Sequence, residues 1–137
     1  MTTFKNYDVQ SVNIHAKASK VFKFIADPAN LPQWTEAFKQ ADNKSALMVT
    51  PNGELRIGLE TRANKELGTI DWYMKMPDGN TGAAYSRVVE GPDKNTIFSF
   101  ILLAPPVPLE QVEGTLYEQM EQLKKELSKL QIILDEG

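Results

Sequence analysis

The sequence predicts an α+β domain: an antiparallel sheet of about seven strands packed against one long C-terminal helix, with two short helices after the first strand. Three observations predict it. First, Leu109, Leu116, Leu123 and Leu130 recur every seven residues, and Met120, Leu127 and Leu134 follow three of them by four. Such spacings place side chains on one face of an α-helix. Second, residues 38–104 read as short apolar runs divided by turn sequences, the pattern of an antiparallel meander. Third, strands followed by a helix leave one sheet face and one helix face to cover each other.

In chain order, residues 4–15 are extended. Tyr7 and Val9 alternate on one parity, then Val12 and Ile14 on the other, which predicts a bulge or change of face near Gln10–Ser11. Residues 19–26 predict a short helix with Ser19 as its cap and Val21, Phe22 and Ile25 on its apolar face. Asp27-Pro28 ends it, because a residue before proline leaves the helical region. A second helical turn is expected over 29–38, carrying Leu31-Pro32-Gln33-Trp34. Strands follow at 45–50, 54–63, 67–76, 81–90 and 95–104, about six in all from residue 38 onward. Pro105, Pro106 and Pro108 close the last one, and Pro108 suits the first helical position, where no N–H is needed. Glu110 and Glu113 early and Lys124, Lys125 and Lys129 late agree with the helix dipole. The helix would run about 40 Å at 1.5 Å per residue.

Composition narrows the function. A chain of 137 residues points to one domain spanning 1–137, with 42% hydrophobic and 24% charged residues. The net charge of -3 argues against a general nucleic-acid binder. The absence of cysteine excludes disulfides, thiol nucleophiles and thiolate metal sites. No apolar run approaches the roughly 20 residues of a membrane span, and the first residues have no signal-like apolar core. A cytoplasmic protein is expected, with no stable membrane insertion. His15 is the only histidine, the acidic residues do not cluster at ligand spacing, and no glycine-rich phosphate loop occurs, so neither metal nor cofactor is expected.

The segments Ile14-His15-Ala16, Val21-Phe22-Lys23-Phe24-Ile25-Ala26-Asp27 and Leu31-Pro32-Gln33-Trp34, in this order of elements, resemble the START-like helix-grip superfamily. That group includes polyketide cyclases and dehydratases, lipid-transfer domains and plant ligand binders; the resemblance is greatest to uncharacterised bacterial members. It implies a strongly curved sheet gripping the C-terminal helix around a cavity for an apolar or amphipathic small molecule. Fold alone assigns no reaction.

The hairpin at Pro77-Asp78-Gly79 decides which residues share a face, and a two-residue Asp78-Gly79 loop would exchange the two faces. Proline second, Asp third and Gly fourth suit a type I turn with a glycine bulge, setting Met76 opposite Asn80. Asp71, Tyr73, Tyr85 and Arg87 then share one face; Ile70, Trp72, Met74, Ala84, Ser86 and Val88 share the other, which should meet the helix. Asp71 and Arg87 either hold a substrate oxygen or a reacting proton, or form a solvated cross-strand ion pair of little energetic weight. Trp72 and Met74 would suit a flexible hydrophobic guest or ordinary core. Trp34 either closes the pocket mouth or staples the short helices to the sheet. Tyr117 either presents its hydroxyl to the cavity or edges the seam. The expected ligand-binding set is Trp34, Trp72, Met74, Tyr85, Arg87, Val112, Leu116, Tyr117 and Met120; Asp71, Arg87 and Tyr117 are the catalytic candidates.

Three functions compete. One is binding of a small hydrophobic or amphipathic molecule without chemistry. The second is a cyclase, dehydratase or isomerase. The third is an interaction module using the leucine stripe as a coiled-coil seam. If Leu127 to Leu134 overhang the sheet, that end would form a homodimer with a second copy.

Overall fold

In the computed structural model the described residues are 6–50, 53–104 and 109–136, the side chains of 50 and 109–115 excepted. Strand β1 (Tyr7–Ile14) leads to helix α1 (Ala18–Ala26), a single 3-10 turn (Pro28–Asn30) and helix α2 (Leu31–Trp34). Six strands follow: β2 (Phe38–Ala41), β3 (Ser45–Thr50), β4 (Gly53–Asn64), β5 (Thr69–Lys75), β6 (Thr81–Glu90) and β7 (Thr96–Leu103). Helix α3 (Leu109–Leu134) ends the chain. All strands form one curled antiparallel sheet in the order β1-β7-β6-β5-β4-β3-β2. This is the helix-grip α+β arrangement the sequence predicts. Pro105, Pro106 and Pro108 lie outside the described residues.

Three local details differ from expectation. β1 pairs with β7 from Tyr7↔Leu103 to Ile14↔Thr96 with no register shift, so no bulge forms at Gln10–Ser11. Instead Tyr7 and Val9 point outward, each 49% exposed, while Val12 and Ile14 point inward. The parity of the apolar residues changes because outward apolar positions are tolerated on this strand. Second, α1 starts one residue early. The Lys17 carbonyl accepts from the Lys20 and Val21 amides, and Ser19 sits inside the helix without capping it. Third, the second helical segment stops at Trp34. The Thr35 hydroxyl and amide both bond to the Leu31 carbonyl, at 2.7 and 2.9 Å, and the backbone turns extended for β2. Asp27 behaves as predicted at the end of α1, and its carboxylate then accepts the Ala29 amide at 3.0 Å to start the next turn.

The sealed end of the molecule is built from Ile14, Val21, Ile25, Leu31, Trp34, Ile70 and Phe98, meeting Leu123, Leu127, Leu130 and Leu134 of α3. Leu130 is wholly buried, worth about 2–3 kcal/mol by its apolar area. Leu127 and Leu134 are buried as well, so the far end of the stripe closes the core. Polar tethers lock the same end. Gln131 donates to the Asn13 carbonyl at 2.7 Å, Asp135 accepts the His15 amide at 2.8 Å, and Lys20 pairs with Glu136. Among the described residues no helix is long and apolar enough to cross a membrane.

Candidate functional site

The β5–β6 hairpin takes the register of the type I turn with a glycine bulge, not that of a two-residue loop. The Met76 amide donates to the Asn80 carbonyl at 2.8 Å, Gly79 adopts φ +92°, and Ile70↔Ser86, Trp72↔Ala84 and Met74↔Gly82 lie opposite each other. Side chains alternate across a strand, so one face carries Ile70, Trp72, Met74, Ala84, Ser86 and Val88. Ile70, Trp72, Ala84 and Val88 belong to the hydrophobic cluster that α3 covers. β7 adds Phe98, Phe100 and Leu102 to this inner face. Trp72 stacks on Phe100 with centroids 5.7 Å apart, and Phe98 meets Phe100 edge-on at 6.4 Å.

Burial on this inner face varies from residue to residue, and Leu59, opposite Met74, is itself buried. Ile14, Ile70, Phe98 and Leu130 are wholly buried. Met74, Met76, Phe100 and Leu102 keep part of their surface accessible, as does Met120 on α3. Leu116 is buried, with 3% of its surface accessible. Gln10 donates to the Met120 carbonyl at 2.9 Å and fixes β1 beneath this half of the helix.

Of the expected ligand-binding residues, Trp72 belongs to the buried cluster and Met74 packs against it, while Leu116 is buried and Met120 half-buried on α3. Trp34 lies at the sealed end, 2% exposed and edge-on to Phe98 at 6.3 Å, where it staples α2 to the sheet. Tyr85 and Arg87 have the parity of Asp71 and occupy the outer face. There Tyr85 meets Tyr73 edge-on at 6.1 Å, and the Arg62 guanidinium sits 4.7 Å above the Tyr73 ring. The Tyr73 phenol is pushed up, by burial first and then by neighbouring Tyr85 and Asp71. Arg87 donates to the Leu67 carbonyl at 3.2 Å and, among the described residues, makes no ion pair with Asp71. Tyr117 is 62% exposed on α3. The side chain of Val112 lies outside the described residues.

Several inward polar residues were not singled out by the sequence pattern. Asp8 and Gln10 share the parity of Val12 and Ile14, and Gln10 donates to the Asp8 carboxylate at 2.8 Å. Thr61 lies directly opposite Trp72 and shares the inward parity of Ile57 and Leu59. Glu126 lies three residues after Leu123 and four before Leu130, a spacing that already put it on the apolar stripe. Its carboxylate accepts the Glu36 amide at 2.8 Å and the Gln122 amide at 3.2 Å. Burial pushes its carboxyl above the usual range, against those two hydrogen bonds. Among the described residues, the Trp34 and Trp72 indole N–H groups and the Thr61 hydroxyl are buried without a hydrogen-bond partner.

Two open surface clefts are present, the second of them bordered by Met74. One runs between Phe22, Lys23 and Lys65 beside α1, the other between Lys44, Arg62 and Tyr73. No group of His, Asp or Glu among the described residues is arranged to hold a metal.

The sheet order and the gripped helix recur in solved structures. A START superfamily protein from Mycobacterium smegmatis superposes with a TM-score of 0.69 at 15% identity, over 95% of this chain and 99% of that one. This chain has the START-like fold. XoxI from Bacillus cereus is similar at TM-score 0.68 and 15% identity, covering 95% of this chain and 96% of its own. The di-domain ARO/CYC BexL from the BE-7585A biosynthetic pathway matches at TM-score 0.72 and 10% identity, over 93% of this chain and 45% of that longer one. No protein-family model and no curated protein matches the sequence.

Proposed function

We propose that the protein binds a small hydrophobic or amphipathic molecule between the inner face of the sheet and the N-terminal half of α3. The partly accessible apolar side chains carry this reading. The core is packed to closure around Leu130 and Phe98, whereas Met74, Met76, Phe100, Leu102 and Met120 keep part of their apolar surface accessible. An apolar wall with a few polar groups is the usual make-up of a small-molecule site. Methionine side chains adapt to irregular guests, and the Trp72–Phe100 stack offers a flat surface. The START-like fold agrees with such a role. No reaction is assigned: Asp71 and Arg87 share the outer face with Tyr85, and Tyr117 is turned largely to solvent.

Native mass spectrometry of protein purified from cells tests this. A retained apolar compound, released on unfolding, is the expected result. Ligand-free protein that also fails to take up hydrophobic probes would remove the proposal.

A further inference from the structure

Thr61 and Trp72 stand directly opposite each other on β4 and β5. Both face inward, about 5 Å apart at their Cβ atoms by the geometry of such pairs. The Trp72 indole N–H and the Thr61 hydroxyl are both buried without a partner among the described residues, and Trp72 is only 4% exposed. Buried polar groups are almost always hydrogen-bonded, because leaving one unpaired forfeits its hydration for nothing. Ser86, in the next row on the same face, shows the usual solution: its hydroxyl donates to the Ile70 carbonyl at 2.7 Å. Two neighbouring exceptions on one wall therefore need an explanation together.

Their chemistry narrows what would satisfy them. Indole nitrogen can only donate, and a threonine hydroxyl can donate as well. A carbonyl oxygen has two lone pairs and can accept from both. The surroundings then set its charge. Inward positions have odd numbers on β4 and even numbers on β5, β6 and β7, so Arg56, Arg62, Lys75 and Arg87 all point away. With no cation on these strands facing in, an anion would be buried unpaired at high cost. A neutral oxygen would not.

We infer that Thr61 and Trp72 form an acceptor-specific subsite, and that the ligand is a neutral, mainly apolar molecule carrying a carbonyl oxygen of the ketone, ester or quinone type. The oxygen receives the Trp72 N–H and the Thr61 O–H. The apolar body lies along Phe100, Met74 and Met120. This inference rests on the binding function proposed above and adds the chemical class of its ligand.

The test uses two probes of the same shape, 2-acetylnaphthalene and 2-ethylnaphthalene, which differ by one carbonyl oxygen. Affinities are measured by equilibrium dialysis, which does not depend on tryptophan emission. The quantity of interest is the ketone-to-hydrocarbon affinity ratio, because it cancels each variant's effect on the apolar part of the site. Trp72→Phe and Thr61→Val each remove a donor and keep the apolar volume. Each should lower the ratio about tenfold relative to the wild type, the usual weight of one hydrogen bond, while 2-ethylnaphthalene still binds. Ratios unchanged in both variants would overturn the subsite and leave the hydrophobic site standing. Failure of the wild type to bind either probe would count against the binding function itself. Should Trp72→Phe fold poorly, Thr61→Val alone decides, since it leaves the aromatic stack intact.

Discussion

Glu126 carries a carboxylate into the seam between α3 and the segment after α2. Burial raises its pKa, the Glu36 amide and the Gln122 side chain hold it down, the Glu36 carboxylate raises it and Lys129 lowers it. The net direction is upward, so the folded chain holds this proton more tightly than the unfolded chain. The stability linked to it is complete below the unfolded value of about 4.3 and is lost as pH rises through the higher folded value. A glutamine at this position keeps an oxygen for the Glu36 amide but has no charge to desolvate. Glu126→Gln should therefore flatten the fall in stability as pH rises above the unfolded value. Urea midpoints at a series of pH values measure this; parallel curves for variant and wild type would exclude the effect. The same residue shows what a sequence conceals. Its spacing from Leu123 and Leu130 placed it on the buried stripe, yet residue type alone suggests a solvated glutamate. Asp8 and Gln10 are hidden similarly, because Tyr7 and Val9 supply the apolar alternation from the wrong face.

At the level of elements, turns decide which residues reach the inner wall. The β5–β6 register was legible because Pro77-Asp78-Gly79 permits few geometries. Gly68 and Gly79 both adopt positive φ, +74° and +92°, but under different constraints. A Cβ on Gly79 would meet nothing within 4 Å, whereas one on Gly68 would stand 2.2 Å from the Val88 carbonyl oxygen. Gly68 lies that close because its own carbonyl accepts the Val88 amide at 2.7 Å, joining the β4–β5 turn to β6. Gly79→Ala should cost about 1–2 kcal/mol, the left-handed backbone alone. Gly68→Ala adds a backbone collision and should cost roughly 3 kcal/mol or more. Chemical denaturation of both variants gives the comparison; equal losses would show that conformation alone matters at Gly68. The helix stripe was equally legible, since seven leucine and methionine positions agree. Pairing of β1 with β7 was not. It joins residues such as Ser11 and Ser99, 88 positions apart, and no local signal encodes it.

For the whole molecule, α3 has two ends with different duties. Its last turns are buried against the core and tied to β1 by Gln131, Asp135 and the Glu136 amide. Over its described N-terminal half, Met120 keeps part of its surface accessible, and the Met120 carbonyl accepts from Gln10 of β1. The order of elements revealed this grip, because a striped helix needs the sheet. The difference between its ends was not readable, since it depends on tertiary contacts between residues more than a hundred positions apart, such as Gln10 with Met120 and Asn13 with Gln131. That difference has a dynamic consequence. Amides over 116–123 should exchange by local opening, at lower free energy than those over 127–134, which wait for global unfolding. A ligand filling the open end links the two halves. With 2-acetylnaphthalene at 100 times its Kd, stability should rise by about 2.7 kcal/mol, and Tm by roughly 8–12 °C for a chain of this size. Protection over 116–123 should then approach that of 127–134. Hydrogen exchange with and without the probe measures both quantities. Uniform protection along α3 before the probe is added would mean that the grip is already closed at both ends.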